Sequence, residues 1–404
     1  MPHFDAENEP NEDVLTQRWF HKLLVLFHRP AAWSTWRVLV AIISLATSVV
    51  LVWYLIVGSI GLAVSAGLVT VFFSATDGLL LWSLPRRGIS FGPWQAQTIV
   101  LAVPRMVASS AMSLVAMAAA GLWGLAGLIV IQCVGSTALI WGALIEPFHL
   151  DLTTLTITSD KVLPGSKPIR LLHISDLHVE RLTKREKKLL ELVEQANADL
   201  ILITGDYLNL SYVRDKTAQE DVRKLLSQLS APYGVFAVLG SPPVDERDVV
   251  PQMFDDLSVN LLVNQSQTVQ LSEDRQLLLL GMDCTHFLTL DSQRLESLVA
   301  DVPPHIPSIL MYHAPDLFPE AVGLGIDLYL CGHTHGGQVR LPWFGALLTS
   351  SQRGRRFQMG FYQEGKTHMY VSRGVGMEGL SAPRVRFHCP PELTLVTIQG
   401  EAHD

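Results

Sequence analysis

Six residues between 176 and 335 are of the types that hold divalent cations, and each stands at or just beyond the end of a short apolar run. Asp176 and His178 come after Arg170-Leu-Leu-His-Ile-Ser175, and Gly205-Asp206 comes after Asp199-Leu-Ile-Leu-Ile-Thr204. His313 closes one later run, and Gly332-His333-Thr-His335-Gly-Gly-Gln338 follows the next, Leu328–Leu330. Runs of this length and aliphatic content read as buried strands. Carboxylates and imidazoles gathered where strands end are placed as a ligand site is. The mixed Asp/His set suits Mn, Fe or Zn better than Ca, which prefers oxygen alone. Each piece is weak by itself. An Asp-x-His tripeptide arises by chance, a lone His313 reads as a core histidine, and Asp206 after a glycine reads as a turn residue. Four such pieces in order, each behind a strand, agree on a metal centre.

The elements that must position these groups alternate. Strands are expected near 170–175, 199–204, 235–239, 277–280, 309–312, 328–330, 369–372 and 393–397, with helices over 184–196 and 218–229. Strand alternating with helix indicates an α/β domain, expected to span 151–404.

With Asp176-x-His178, Gly205-Asp206, His313 and Gly332-His333-x-His335, the segment from about 155 to 398 resembles the calcineurin-like metallophosphoesterases. His335-Gly-Gly-Gln338, Tyr370-Val-Ser-Arg-Gly374 and Arg386-Phe-His-Cys-Pro-Pro-Glu392 resemble its bacterial YkuE/YaeI-like branch. The resemblance implies a β-sandwich flanked by helices and two divalent metals bridged by a carboxylate and a hydroxide. It implies that Asp176, His178, Asp206 and His335 hold one metal, and Asp206, His313 and His333 the other. The chemistry is consistent: two cations about 3.5–4 Å apart neutralise an anionic phosphodiester and generate the nucleophile that attacks it.

One block departs from the family. A Gly-Asn-His-Asp/Glu sequence is expected after the strand that ends at Leu239, and Gly240-Ser241-Pro242-Pro243 stands there. Ser241 replaces a metal-binding Asn, and Pro242 replaces a His that serves the phosphate or the leaving group. Proline offers no donor or base. Three readings stay open: hydrolysis with the second site completed by Ser241 or water, hydrolysis with one firmly bound metal, or a catalytically impaired metal-binding regulatory module. His286 is a candidate replacement acid, although a structural or surface role is the simpler reading for it; losing a general acid costs about 10²–10⁴ in rate.

The first 146 residues are of another kind. The chain has 404 residues, 49% of them hydrophobic and 17% charged, and most of the apolar excess precedes Pro147. Residues 1–35 read as an acidic tail and a helix that is either interfacial or a lead-in. Residues 36–146 hold four apolar stretches, 36–57, 60–84, 97–120 and 122–145, each about as long as a bilayer requires. Arg18, Lys22, Arg29 and Arg37 precede the first span, and Arg86 and Arg87 follow the second. The positive-inside rule then expects a multi-pass cell-membrane protein with its C-terminal domain in the cytoplasm. Asp77 and Arg105 fall at similar depth on neighbouring spans, and an ion pair serving packing is expected. A transporter or sensor would need a longer polar pathway than these two residues provide. The net charge of −8 gives no reason to expect nucleic acid as a partner. Four scattered cysteines without a CxxC pair fit reduced thiols. The expected partners are the lipid bilayer and a lipid-linked phosphate ester.

Overall fold

The computed structural model describes residues 19–401 except 90, 91, 120, 301, 382 and 383. The acidic tail and the start of the lead-in helix therefore lie outside the described residues. The chain divides into two compact units: Trp19–Ile145 with Gly379–Val385, and Glu146–Glu378 with the residues from Arg386 onward.

The first unit is helical: α1 (Trp19–His28), α2 (Thr35–Val57), α3 (Ile60–Ser83), α4 (Trp94–Ala118) and α5 (Gly121–Ile140), which runs on through a π turn at Trp141–Ile145. The last four are long and apolar enough to cross a membrane. They pack through small residues. A Cβ on Gly124 of α5 would lie 2.3 Å from that of Ala116 on α4, so only glycine permits this approach. Leu55, Leu68, Phe72 and Leu122 are exposed on the outer surface, the inverse of a water-soluble bundle. The expected Asp77–Arg105 pair is present. Arg105 Nε and Nη2 donate to the two Asp77 carboxylate oxygens at 2.6 and 2.8 Å. Nη1 donates to the Gln132 carbonyl and side-chain oxygens, and Nη2 also reaches Ser136 Oγ. Segment Gly379–Val385 belongs to this unit: Ser381 Oγ donates to the Leu24 carbonyl, and Val385 packs on the cluster of Leu81, Leu84 and Leu139.

The second unit runs β1 (Asp151–Ser159), β2 (Ile169–Ile174), α6 (Lys184–Ala196), β3 (Leu200–Ile203), α7 (Lys216–Leu226), β4 (Val235–Ala237), β5 (Val259–Leu261), β6 (Gln265–Ser272) and β7 (Arg275–Gly281). It continues with α8 (Leu288–Val299), β8 (Ser308–Met311), α9 (Phe318–Gly323), β9 (Leu328–Cys331), β10 (Arg340–Leu341), β11 (Gly345–Ala346), β12 (Gly360–Glu364), β13 (Thr367–Val371) and β14 (Glu392–Gly400). Two six-stranded sheets result, ordered β1-β14-β2-β3-β4-β5 and β12-β13-β9-β8-β7-β6.

Alternation along each strand explains the layers. Leu171, Leu200 and Leu202 of one sheet share a core with Leu277, Ile309 and Leu330 of the other. Their neighbours Leu172, Ile201 and Ile203 point the opposite way and pack on α6 and α7 through Leu189 and Val222. The far face of the second sheet packs on α8 and α9 through Leu295, Phe318 and Ala321. Each buried aliphatic side chain contributes roughly 1.5–3 kcal/mol, which is why these short strands stay in register. The start of α6 is set by sequence: Thr183 and Glu186 form a reciprocal capping box.

Candidate metal centre

The site forms where β2, β3 and β4 of one sheet and β8 and β9 of the other run out. Asp176 and His178 follow β2, Asp206 follows β3, Ser241 follows β4, His313 follows β8, and His333 and His335 follow β9. All six residues singled out in the sequence come together and are buried. Ligand-type atoms of Asp176, His178, Asp206 and His335 lie within 4.8 Å of one another, as do those of Asp206, His313 and His333. Asp206 belongs to both groups.

The backbone is bent to achieve this. Asp176, His178, Asp206, His333 and His335 all take positive φ, from 41° to 68°. Such conformations cost about 1–3 kcal/mol each at non-glycine residues and persist only when the surroundings enforce them. Here the loops are tied directly to one another. Asp176 N–H donates to the Gly205 carbonyl, His178 N–H to that of Asp206, and His333 N–H to the Asp176 carboxylate. A Cβ on Gly240 would lie 2.2 Å from Asp206 Oδ1, so glycine is required for the approach.

The donor set fits cations. His178 Nε2 and His335 Nε2 face each other at 3.0 Å, and His313 Nε2 and His333 Nδ1 at 3.2 Å. The tautomers are set from behind: His313 Nδ1 donates to the Thr204 carbonyl at 2.7 Å. His178 Nδ1 lies 2.8 Å from Glu378 Oε2 and 3.1 Å from the Leu208 carbonyl. Both arrangements turn Nε2 toward the shared Asp206, the orientation a metal-ligating histidine takes. Ring nitrogens and carboxylates clustered this closely are the donor chemistry of a divalent-ion site.

The electrostatics agree. Burial alone would raise Asp206, but His313, His178 and His333 beside it hold its carboxyl well below the usual range. Burial opposes charge on His178, yet Glu378 and the two site aspartates raise it to about 9. Burial lowers His333 and His335, each also flanked by another imidazole.

At the divergent block, Ser241 N–H donates to Asp206 Oδ1 at 2.7 Å, and its hydroxyl lies 3.2 Å from His333 Nδ1. Ser241 thus lies against Asp206 and His333 of the second group. Pro242 contributes no polar side-chain atom. His286 is buried, not at the surface, with its ring centroid 4.7 Å from that of His333.

Two residues escaped the sequence reading. Asp245 accepts the N–H groups of Asp206, Tyr207 and Gly240 and so fixes two site loops; burial and neighbouring Asp206 push its carboxyl up to about 6. Its only signal was proximity to Gly240. Glu378 had none, lying in a stretch without periodicity.

A helix-flanked double sheet with this cluster at its strand ends has the layout that the resemblance to the metal-dependent phosphoesterases implies. Residues 169–337, within the second unit, match the family model described as calcineurin-like phosphoesterase. Curated relatives agree. The uncharacterized metallophosphoesterase YkuE of Bacillus subtilis is 29% identical over 264 residues, 63% of this chain and 88% of that protein. The phosphodiesterase YaeI of Escherichia coli is 28% identical over 246 residues, covering 58% and 83%. The UDP-2,3-diacylglucosamine pyrophosphatase LpxG of Chlamydia muridarum is 26% identical over 309 residues, covering 64% and 92%.

Proposed function

We propose that the chain is a multi-pass membrane phosphoesterase that hydrolyses a phosphodiester or pyrophosphate bond, with its catalytic unit in the cytoplasm. The observation that carries the reading is Asp206, shared between the ligand group of Asp176, His178 and His335 and that of His313 and His333. Two divalent ions, Mn, Fe or Zn, would supply positive charge for the phosphate oxygens and activate water at neutral pH. The chain supplies the rest. Glu378 and the Thr204 carbonyl orient His178 and His313, Ser241 N–H fixes the shared carboxylate, and Asp245 keeps the loops at their spacing. His286 takes the proton-donating role that Pro242 cannot fill, by its place beside His333.

Location and likeness support the substrate class. LpxG is a UDP-2,3-diacylglucosamine pyrophosphatase, and four apolar helices would hold this site at a bilayer. Both favour a lipid-linked phosphate ester. The cytoplasmic orientation rests on the arginines around the first span and at Arg86-Arg87, where the turns at Gly58-Ser59 and Ala119–Gly121 carry none.

The test uses the full chain in detergent, loaded with Mn and assayed on a chromogenic phosphodiester. Turnover that falls about 10²–10⁴-fold in His286→Ala, with metal content unchanged, supports the roles given. Stoichiometric metal without turnover on any ester class would instead favour the impaired regulatory module that Pro242 raises.

A further inference from the structure

The β10–β11 hairpin follows the His335 loop and exposes what a soluble domain buries. Trp343 at its tip is 104% exposed and has φ +62°, a strained conformation for a bulky residue. Leu341, Phe344, Leu347 and Leu348 around it are each more than 40% exposed. Isolated exposed apolar residues are ordinary, but five within eight positions form a patch.

The patch is rimmed by cations. Arg355 and Arg356 are exposed, Arg355 lies over the Phe344 ring at 4.1 Å, and Arg340 stands at the root. None of the three pairs with a carboxylate among the described residues. Arg340, Trp343, Phe344, Arg355, Arg356 and His388 line a groove of about 540 Å³. A protein with net charge −8 thus gathers unneutralised arginines about an aromatic tip. Indole and guanidinium side by side is the composition that suits the headgroup layer of a membrane, where the ring meets the acyl boundary and the cation meets phosphate.

Continuity with the fourth apolar stretch says which membrane. That stretch ends at Phe148, and Glu146 in its last turn accepts the Cys389 N–H. Two residues earlier, the Phe387 carbonyl accepts the Arg340 N–H at 2.9 Å, and Phe387 bridges Val339. The hairpin root is therefore hydrogen-bonded to the segment that is itself bonded to the end of the last span. We propose that this hairpin is a second membrane contact, in which Trp343 and Phe344 enter the interface of the bilayer that holds the four helices and Arg340, Arg355 and Arg356 bind its anionic phosphate headgroups. It rests on the reading that those helices cross a bilayer and is independent of what the site hydrolyses.

The experiment places the full chain in nanodiscs of phosphatidylglycerol or of phosphatidylcholine. A spin label on Leu347→Cys, in a Cys133→Ser background, leaves Trp343 and Phe344 intact; the other three cysteines are buried. A label on native Cys133, exposed on α5, serves as the span control. Relative accessibility to oxygen and to an aqueous nickel chelate reports immersion. The proposal expects an immersed label at 347 in phosphatidylglycerol, drawn back into water by Trp343→Ser. Arg355→Glu with Arg356→Glu should lower the ratio of immersed to aqueous label about fivefold per residue. An aqueous label at 347 beside an immersed one at 133 overturns the hairpin contact alone. Aqueous labels at both sites overturn the membrane reading with it. Equal immersion in neutral and anionic lipid overturns the arginine–phosphate half. Spin–spin broadening that disappears on dilution with unlabelled chain assigns the hairpin to a second copy and overturns the proposal.

Discussion

The molecule buries two polar clusters, and they are built on opposite principles. In the helical unit Arg105 has five N–H donors, and all find acceptors: two on Asp77, two on Gln132 and one on Ser136. Charge and hydrogen bonding close on themselves. At the strand ends imidazole nitrogens face one another and two carboxylates stand among them, with acceptors arranged behind the rings of His178 and His313. The first network is complete as folded. The second leaves ring nitrogens and carboxylates facing one another in an arrangement that cations would complete, and that difference separates a packing device from a candidate site.

The sharpest way to break this contrast is Asp206→Ala. It removes the one carboxylate common to both groups, so turnover should fall by more than about 10³-fold and bound metal should drop in elemental analysis. A variant that keeps both ions would sink the shared-ligand reading. Arg105→Leu comes next. Leaving Asp77 buried without its partner should cost about 3–5 kcal/mol of bundle stability, while the double replacement Asp77→Leu/Arg105→Leu recovers most of it. Unfolding in detergent measures this, and if the double variant is as unstable as the single one, the self-contained network is the wrong description. A smaller effect is expected for Glu378→Gln, which keeps shape but removes the charge behind His178: metal affinity should weaken about 10–100-fold by calorimetry. The mildest is a pH effect. His178 rises to about 9 in the metal-free fold, above its unfolded value near about 6.5. Its stabilising contribution is therefore full below about pH 6.5 and disappears as pH climbs through 9. Chelator-stripped protein should lose thermal stability across that window. Mn-loaded protein, which needs the neutral ring, should not.

Much of this was legible in the sequence, for identifiable reasons. The site strands are short aliphatic runs buried on both faces, and each ends in the residue that matters, so β2, β3, β8 and β9 and the six ligand-type residues could be read in order. The four apolar helices were legible by length, and the Asp77–Arg105 pair by equal depth. Other elements were not. β1, Asp-Leu-Thr-Thr-Leu-Thr-Ile-Thr-Ser, is half exposed and finds its partner more than 200 residues away. β6, Gln-Ser-Gln-Thr-Val-Gln-Leu-Ser, is a polar edge strand with little burial to mark it. Glu378 and Asp245 act through tertiary hydrogen bonds that no local pattern announces. Nor did composition show that Gly379–Val385 would leave the catalytic unit's run of sequence for the helical one.

The order β1-β14-β2 carries a consequence for biosynthesis. The last strand of the chain lies between the first two of its sheet, parallel to β1 and antiparallel to β2. Until Glu392–Gly400 leaves the ribosome, β1 has no neighbour and β2 has a bare edge, while the four apolar helices have long since been synthesised. The catalytic unit must therefore wait, its longest loop closed last, which is a slow and aggregation-exposed way to fold. A nascent chain stopped short of residue 392 would carry its four apolar helices beside a sheet still lacking the strand that joins β1 to β2.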